Sequence, residues 1–438
     1  MYHAVAINRA ASRSWSGETV IQTGAAAPAS AGPQPSGLRL VRRLWPLVAA
    51  TAMAPLPGTA LGLFMVPIAA ELASSVATVG GLRSLGGLAA LATALLAAPL
   101  IDRLPRAWSV AGSLALLGAA VSLAAFGHLA ALLLFYLLLG GASAVLWPAV
   151  QAASSDHAPG PSGARAAALV LSGSAAGTAL AGPLLALPAS AWGWRGAVLA
   201  VAVVAFGLSL VALRTLSHRP PDGVARHSYL ATFPQVLAAP RAAVLLLAST
   251  CYASTFFGWI TYLAASLTER FGLETPAIAA LWAVNGAMFC AGSLLAGRRG
   301  APEAADPSVA ARPDVAGGRL LLAGLLLAAL AGPACYLASS PAVALLLAPL
   351  YSLGDGMTVA GIVRLLLARY PDLRGAVLGL NGAANHFGIF FGTGVGGLAL
   401  GLAAYTGLAG FLGGLSLLAL ATMLWALRPA GRGGGSAD

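Results

Sequence analysis

The chain contains no lysine, and charge of either sign is scarce: Asp, Glu, Lys and Arg together make up 8% of its 438 residues. A soluble globular domain carries about 25%, so an ordinary solvated surface is excluded. Cysteine is almost absent. Cys251, Cys290 and Cys335 each lie inside an apolar run and none belongs to a CxxC pair, which leaves small core residues in place of a disulfide framework or a thiolate metal site. There is no Walker-type glycine loop, so ATP is not the expected energy source, and there is no HExxH pair, so a zinc peptidase is not expected. The strict alternation of an outer-membrane barrel is missing too. No apolar segment precedes Leu44, and a cleavable signal peptide is therefore not expected. No cofactor or metal is implied.

What the chain has instead is apolar length. It is 59% hydrophobic, dominated by Ala, Leu and Gly, and the apolar residues come in runs of about 20, each enough to cross hydrocarbon as a helix. The reading is an all-α polytopic membrane protein. Twelve spans are expected at roughly 45–70, 79–101, 107–127, 129–152, 165–187, 195–213, 242–265, 276–297, 319–339, 342–367, 374–402 and 405–427. Pro55, Pro57, Pro67, Pro183 and Pro349 fall inside spans and should kink or unwind them, since proline removes a donor and clashes with the preceding turn. With the N-terminus in the cytoplasm, 21 of the 24 arginines fall on the cytoplasmic side, and only Arg83, Arg195 and Arg270 fall outside. That asymmetry places both termini inside under the positive-inside rule and accounts for the net charge of +11 without a nucleic-acid partner.

The chain then divides into a disordered cytoplasmic tail, 1–43; an N-terminal six-helix bundle, 44–213; a central cytoplasmic loop with a surface helix, 214–241; a C-terminal six-helix bundle, 242–427; and a short disordered tail, 428–438. The surface helix is read from Tyr229, Phe233 and Val236, at helical spacing after the polar Arg-Pro-Pro-Asp-Gly stretch.

Between the second and third runs lies a charged knot, Ala98-x-x-x-Asp102-Arg103-x-Pro105-Arg106. It resembles the loop 2–3 signature of the major facilitator superfamily, G-x-x-x-D-R-x-G-R, with Ala98 and Pro105 in place of glycines. Trp192-Gly193-Trp194-Arg195 looks like the turn that precedes span six in that family. Gly173-x-x-x-Gly177-x-x-x-x-Gly182-Pro183 is similar to the span-five motif of its drug:proton antiporter branch, and Gly62 to Leu72 resembles the end of span one there. The resemblance implies a 6+6 transporter with a central cavity lined by spans one, four, seven and ten. It also implies a cytoplasmic gate in which Asp102 meets the start of span eleven, braced by Arg103 and Arg106. The glycines and Pro183 of span five are read as a packing surface with a bend.

Candidate chemistry follows from polar residues in apolar surroundings. Asp355 sits mid-span in Tyr351-Ser352-Leu353-Gly354-Asp355-Gly356. A charged carboxylate there costs about 2.5–3.5 kcal/mol on insertion scales, so it must be protonated, paired or wet. It is read as a proton-coupling group or a structural hydrogen-bond partner. His386 is a second proton-coupling candidate, able to pair with Asp355. Asn381 and Asn385, four apart, share a helix face and are read as cavity residues or as interhelical glue. Tyr252, Thr255, Trp259 and Tyr262 form one helical stripe, read as a cavity wall for an amphipathic ligand or as a packing face; a place in the interfacial belt suits Tyr262 best. Trp147 and Gln151 in span four are lesser cavity candidates. Arg83 and Glu71 stand near the outer surface as a possible gate pair, and Arg364 is expected to snorkel.

The expected function is secondary transport of a small molecule by alternating access, with proton-coupled efflux of a small amphipathic compound or metabolite leading. Proton-coupled import or uniport is the alternative, because span one lacks an acid and span four lacks an arginine. An intramembrane enzyme around Ser143 and a non-transporting sensor are distant alternatives. The expected partners are the substrate, protons and the lipid bilayer of a bacterial inner membrane, with the protein a monomer.

Overall fold

The computed structural model describes residues 37–101, 104–157, 163–218, 229–298 and 315–428. They are helical almost throughout, because in hydrocarbon a helix satisfies its own backbone polar groups. In chain order the helices are α1 (Gly37–Met53), α2 (Leu56–Leu63), α3 (Met65–Glu71), α4 (Val76–Ile101), α5 (Arg106–Ala124), α6 (Leu129–His157), α7 (Gly163–Thr215), α8 (Tyr229–Ala238), α9 (Ala242–Phe271), α10 (Thr275–Arg298), α11 (Val315–Leu337), α12 (Pro341–Arg369) and α13 (Arg374–Leu427). Ten helical stretches are long and apolar enough to cross a membrane among the described residues.

Two of those stretches are hairpins. Helix α7 is broken at Gly193, whose φ of 68° lies in the left-handed region that glycine enters without a Cβ clash. Its first arm packs on α1, where Gly173 and Gly177 meet the backbone of Val48 and Ala52. Its second arm turns back along α5, with Ser209 Oγ donating to Ala111 O at 2.8 Å. Helix α13 is broken at Ala403 and Ala404, and its arms fold together so that Gly396 faces Leu408 and Phe411. With each hairpin counted as two arms, the apolar helical arms of spanning length among the described residues number twelve.

Prolines act unequally. The first span is in three pieces, with Pro55 at the α1–α2 break and Phe64, three residues before Pro67, between α2 and α3. Ala54 N reaches only to Thr51 O there. Pro183 and Pro349, by contrast, sit in uninterrupted helical runs, and the break in α7 falls at Gly193 beyond Pro183. The helix is not unwound at Pro183 or Pro349, as a single missing donor can be tolerated inside a membrane helix.

The packing runs largely within two sets of helices. Before residue 218, α4 lies on α6, α5 on α6 and α7, and α1 on α7; after residue 229, α9 lies on α13, α10 on α12, and α11 on α12 and α13. Two long seams join the sets, α4 against α13 and α7 against α10, and α2 and α3 also touch α9. Gly182 belongs to the second seam, with Ala279 and Trp282 of α10 pressed against it. Helix α8 carries Val236 into a small apolar cluster with Leu245, Val377 and Met423.

Candidate functional site

Helix α12 begins at an N-cap, Ser340, whose hydroxyl accepts from Val343 N, and Pro341 follows at the first helical position, where its missing donor costs nothing. Fourteen residues on from Pro341, near mid-helix, is Asp355, only 2% exposed. The Tyr252 hydroxyl of α9 donates to Asp355 Oδ1. No cation pairs with this carboxylate among the described residues. One turn back on α12, the Tyr351 hydroxyl is buried without a partner. The Tyr351 ring stacks on Trp259 of α9 with centroids 4.0 Å apart, and Trp259 Nε1 is also unpartnered. The Trp259 carbonyl accepts from the Tyr336 hydroxyl at 2.5 Å. Tyr336 in turn stacks on Tyr405, whose hydroxyl donates to Glu269 Oε2 at 2.7 Å. The carboxylate thus sits at one end of a buried aromatic assembly that holds two unpartnered hydrogen-bonding atoms.

The α9 stripe does not form one open wall in this conformation. Tyr252, Thr255, Trp259 and Tyr262 are all buried. Tyr252 and Trp259 turn to α12, Thr255 meets Ser416 Oγ at 3.3 Å, and Tyr262 donates to Thr393 O at 2.7 Å. Tyr262 is fully covered, so it does not belong to an interfacial belt. The stripe's spacing gave one helix face, but a helix surrounded by α4, α12 and α13 buries most of its circumference.

Ser249 Oγ donates to Asn381 Oδ1 at 2.6 Å, and Asn385 Nδ2 donates to Asn381 O at 2.8 Å, so both asparagines serve hydrogen bonds between and within helices. His386 lies on the α4–α13 seam, its carbonyl against Gly87. Its Nδ1 is buried and unpartnered, and no hydrogen bond joins it to Asp355, whose partner is Tyr252 of α9. On α6, Trp147 is half-buried and Gln151 is exposed.

The charged residues sort differently from the expected pairing of Glu71 with Arg83. Glu71 pairs with Arg195, with Nη1 and Oε2 2.9 Å apart, and Arg195 Nε donates to Ala125 O at 3.0 Å. The Gly193 turn delivers Arg195 to the ends of α3 and α5, which leaves Arg83 to α9. Arg83 Nη1 donates to Thr261 Oγ1 at 3.1 Å. Arg106 is buried and bonded to Asp156 Oδ2 at 2.9 Å, which ties the start of α5 to the end of α6; Asp156, in a Ser-Ser-Asp-His run, had no distinguishing signal in the sequence. Asp102 and Arg103 lie outside the described residues. Arg364 donates to Ala296 O at 3.1 Å.

Comparisons with known proteins fit this architecture. Among solved structures, a bacterial homologue of the human lysosomal transporter Spinster, in its inward-facing and occupied conformation, aligns with a TM-score of 0.69 and 18% identity, over 87% of this chain and 96% of that one. The nucleoside transporter NupG aligns with a TM-score of 0.69 and 15% identity, over 89% of this chain and 99% of that one. At these identities the likeness is one of fold. No curated protein sequence matches significantly. The family model of the Major Facilitator Superfamily matches residues 47–301, more than half of the sequence, and the chain belongs to that superfamily.

Proposed function

We propose that the protein is a secondary active transporter that moves a small molecule across a bacterial cytoplasmic membrane by alternating access, coupled to protons. Its working units are two six-helix bundles, 44–213 and 242–427, joined through 214–241, with both termini in the cytoplasm and the monomer as the functional unit. The two packing sets joined along the α4–α13 and α7–α10 seams support that division, and the arginine asymmetry supports the orientation. With that orientation, the contacts of α2 and α3 with α9 lie at the outer side, which makes this conformation the one closed to the outside.

One observation carries the coupling. Asp355 is a membrane-embedded carboxylate with a tyrosine hydroxyl and, among the described residues, no cation paired with it. An isolated buried charge is costly, and protonation removes it. Movement of α9 relative to α12 would uncover the group to water on one side, where the proton leaves. A ligand that binds one protonation state better then shifts the two-state equilibrium by that difference. Efflux of a small amphipathic compound or metabolite follows from the span-five resemblance to drug:proton antiporters. Import or uniport is the second reading, favoured by the absence of an acid in Met53 to Thr59 and of an arginine in α6.

The test uses proteoliposomes and a compound selected from a thermal-stabilisation screen. Asp355→Asn is expected to keep exchange of labelled for unlabelled substrate while losing transport driven by a pH gradient. Gradient-driven transport at the wild-type level in the variant would remove Asp355 from the mechanism.

A further inference from the structure

Arg83 is the embedded charge that the coupling scheme leaves unused. It lies seven residues into α4, about 10 Å along the helix at 1.5 Å per residue. Its side chain turns inward, toward helices of both packing sets. A Cβ on Gly58 of α2 would stand 3.2 Å from Arg83 Nη2, so the glycine makes room for the guanidinium. On the other side are α9 residues: the Phe257 ring, with the guanidinium carbon 5.9 Å from its centroid, and Thr261. Tyr136 of α6 and Tyr262 of α9, both buried, flank the group.

The bonding inventory is incomplete in a specific way. A guanidinium has five N–H donors and no acceptor. Thr261 uses its own hydrogen on Phe257 O at 2.6 Å and accepts from Arg83 with its oxygen. No carboxylate pairs with Arg83 among the described residues, where the ion pairs are Arg106–Asp156 and Arg195–Glu71. The remaining donors are not among the sealed, unpartnered polar atoms, and the residue is half-buried, not enclosed. A cation inside a membrane protein normally pairs or faces a water-filled cavity. This one presents a fork of free donors between the two sets, and a planar oxyanion is the complement of that fork.

We infer that Arg83 is the recognition site for an anionic group of the transported molecule, so that the substrate class is an organic anion with an apolar body. The anion sits on the guanidinium and the apolar body lies along the partly exposed Phe257 ring. Because Arg83 bridges α4 and α9, an anion bound there also holds the outer closure together. This inference rests on the transporter reading and narrows its substrate.

The test is equilibrium binding to the full chain in detergent, which needs no gradient and is independent of coupling. The probes are 1-naphthoate and its uncharged isostere 1-naphthamide, read by thermal shift and by titration of tryptophan fluorescence. Wild type is expected to bind the carboxylate at least about tenfold more tightly than the amide, as loss of a charge-assisted pair requires. Arg83→Gln should erase that ratio, and Arg83→Lys, which keeps a point charge without the fork, should retain part of it. Equal binding of acid and amide by wild type overturns the proposal, even where the glutamine variant does not fold. So does an unchanged ratio in either variant, which would leave Arg83 as a brace for Thr261. Either result leaves the pH-gradient test of Asp355 standing.

Discussion

At the scale of single residues, the membrane makes each polar side chain expensive, and the protein places few of them. Tyr252 and Asp355 are the clearest pair. Removing the hydroxyl in Tyr252→Phe leaves the carboxyl buried without its donor, and a lost buried partner costs about 1–3 kcal/mol. We expect Tyr252→Phe to lower the melting temperature by several degrees and to alter the pH profile of transport. A variant with wild-type stability and profile would show that the bond carries no weight. At the surface, Glu71–Arg195 should behave otherwise. Its side chains are 34% and 44% exposed, and exposed pairs are worth about 0–1 kcal/mol, so Glu71→Gln is expected to leave melting nearly unchanged. Asp355, Asn381 and His386 were legible in the sequence because polar residues stand out in apolar runs. The partnerships were not: Ser249 carries no signal of its own, and the stripe that marks Tyr252 does not point to Asp355 until α9 is laid against α12 and α13. The sequence marks Arg195 as part of a turn and sets Arg83 near Glu71, because a linear sequence does not show which end of a hairpin returns to which loop.

At the scale of elements, close helix approach is set by small residues. Gly177 of α7 meets the backbone of Ala52, Gly182 meets Ala279, and Gly392 of α13 meets Ser254 of α9. A larger residue at any of these sites must push backbones apart, and overpacking of this kind costs about 1–3 kcal/mol. The location separates the outcomes. Gly177→Leu and Gly392→Leu act within a packing set and should lower folded yield and melting temperature. Gly182→Leu acts on the α7–α10 seam and should lower the transport rate more than it lowers melting. Equal losses in all three would argue against a working seam at α7–α10. Long spans and the short helix at Tyr229–Ala238 were readable from apolar length and spacing. The fate of the prolines was not, because a missing donor breaks a helix only where neighbours fail to support it; Pro55 breaks its span and Pro349 does not.

At the scale of the whole molecule, α2 and α9 meet where a Cβ on Gly62 would lie 3.8 Å from Ile260 O. In a background freed of Cys251, Cys290 and Cys335, cysteines at positions 62 and 260 should cross-link with a short bifunctional thiol reagent and halt transport until reduced. Cross-linking without loss of transport would contradict alternation about this contact. Asp102→Asn, at the proposed cytoplasmic latch, should slow transport with little change in ligand affinity. The most direct test of the account is proton movement itself. Proteoliposomes loaded with a pH-sensitive dye, and given substrate without an imposed gradient, should show a substrate-dependent change of internal pH with wild type and none with Asp355→Asn. Substrate flux without any proton movement in wild type, or the same proton movement in both proteins, would contradict the claim that Asp355 couples the two.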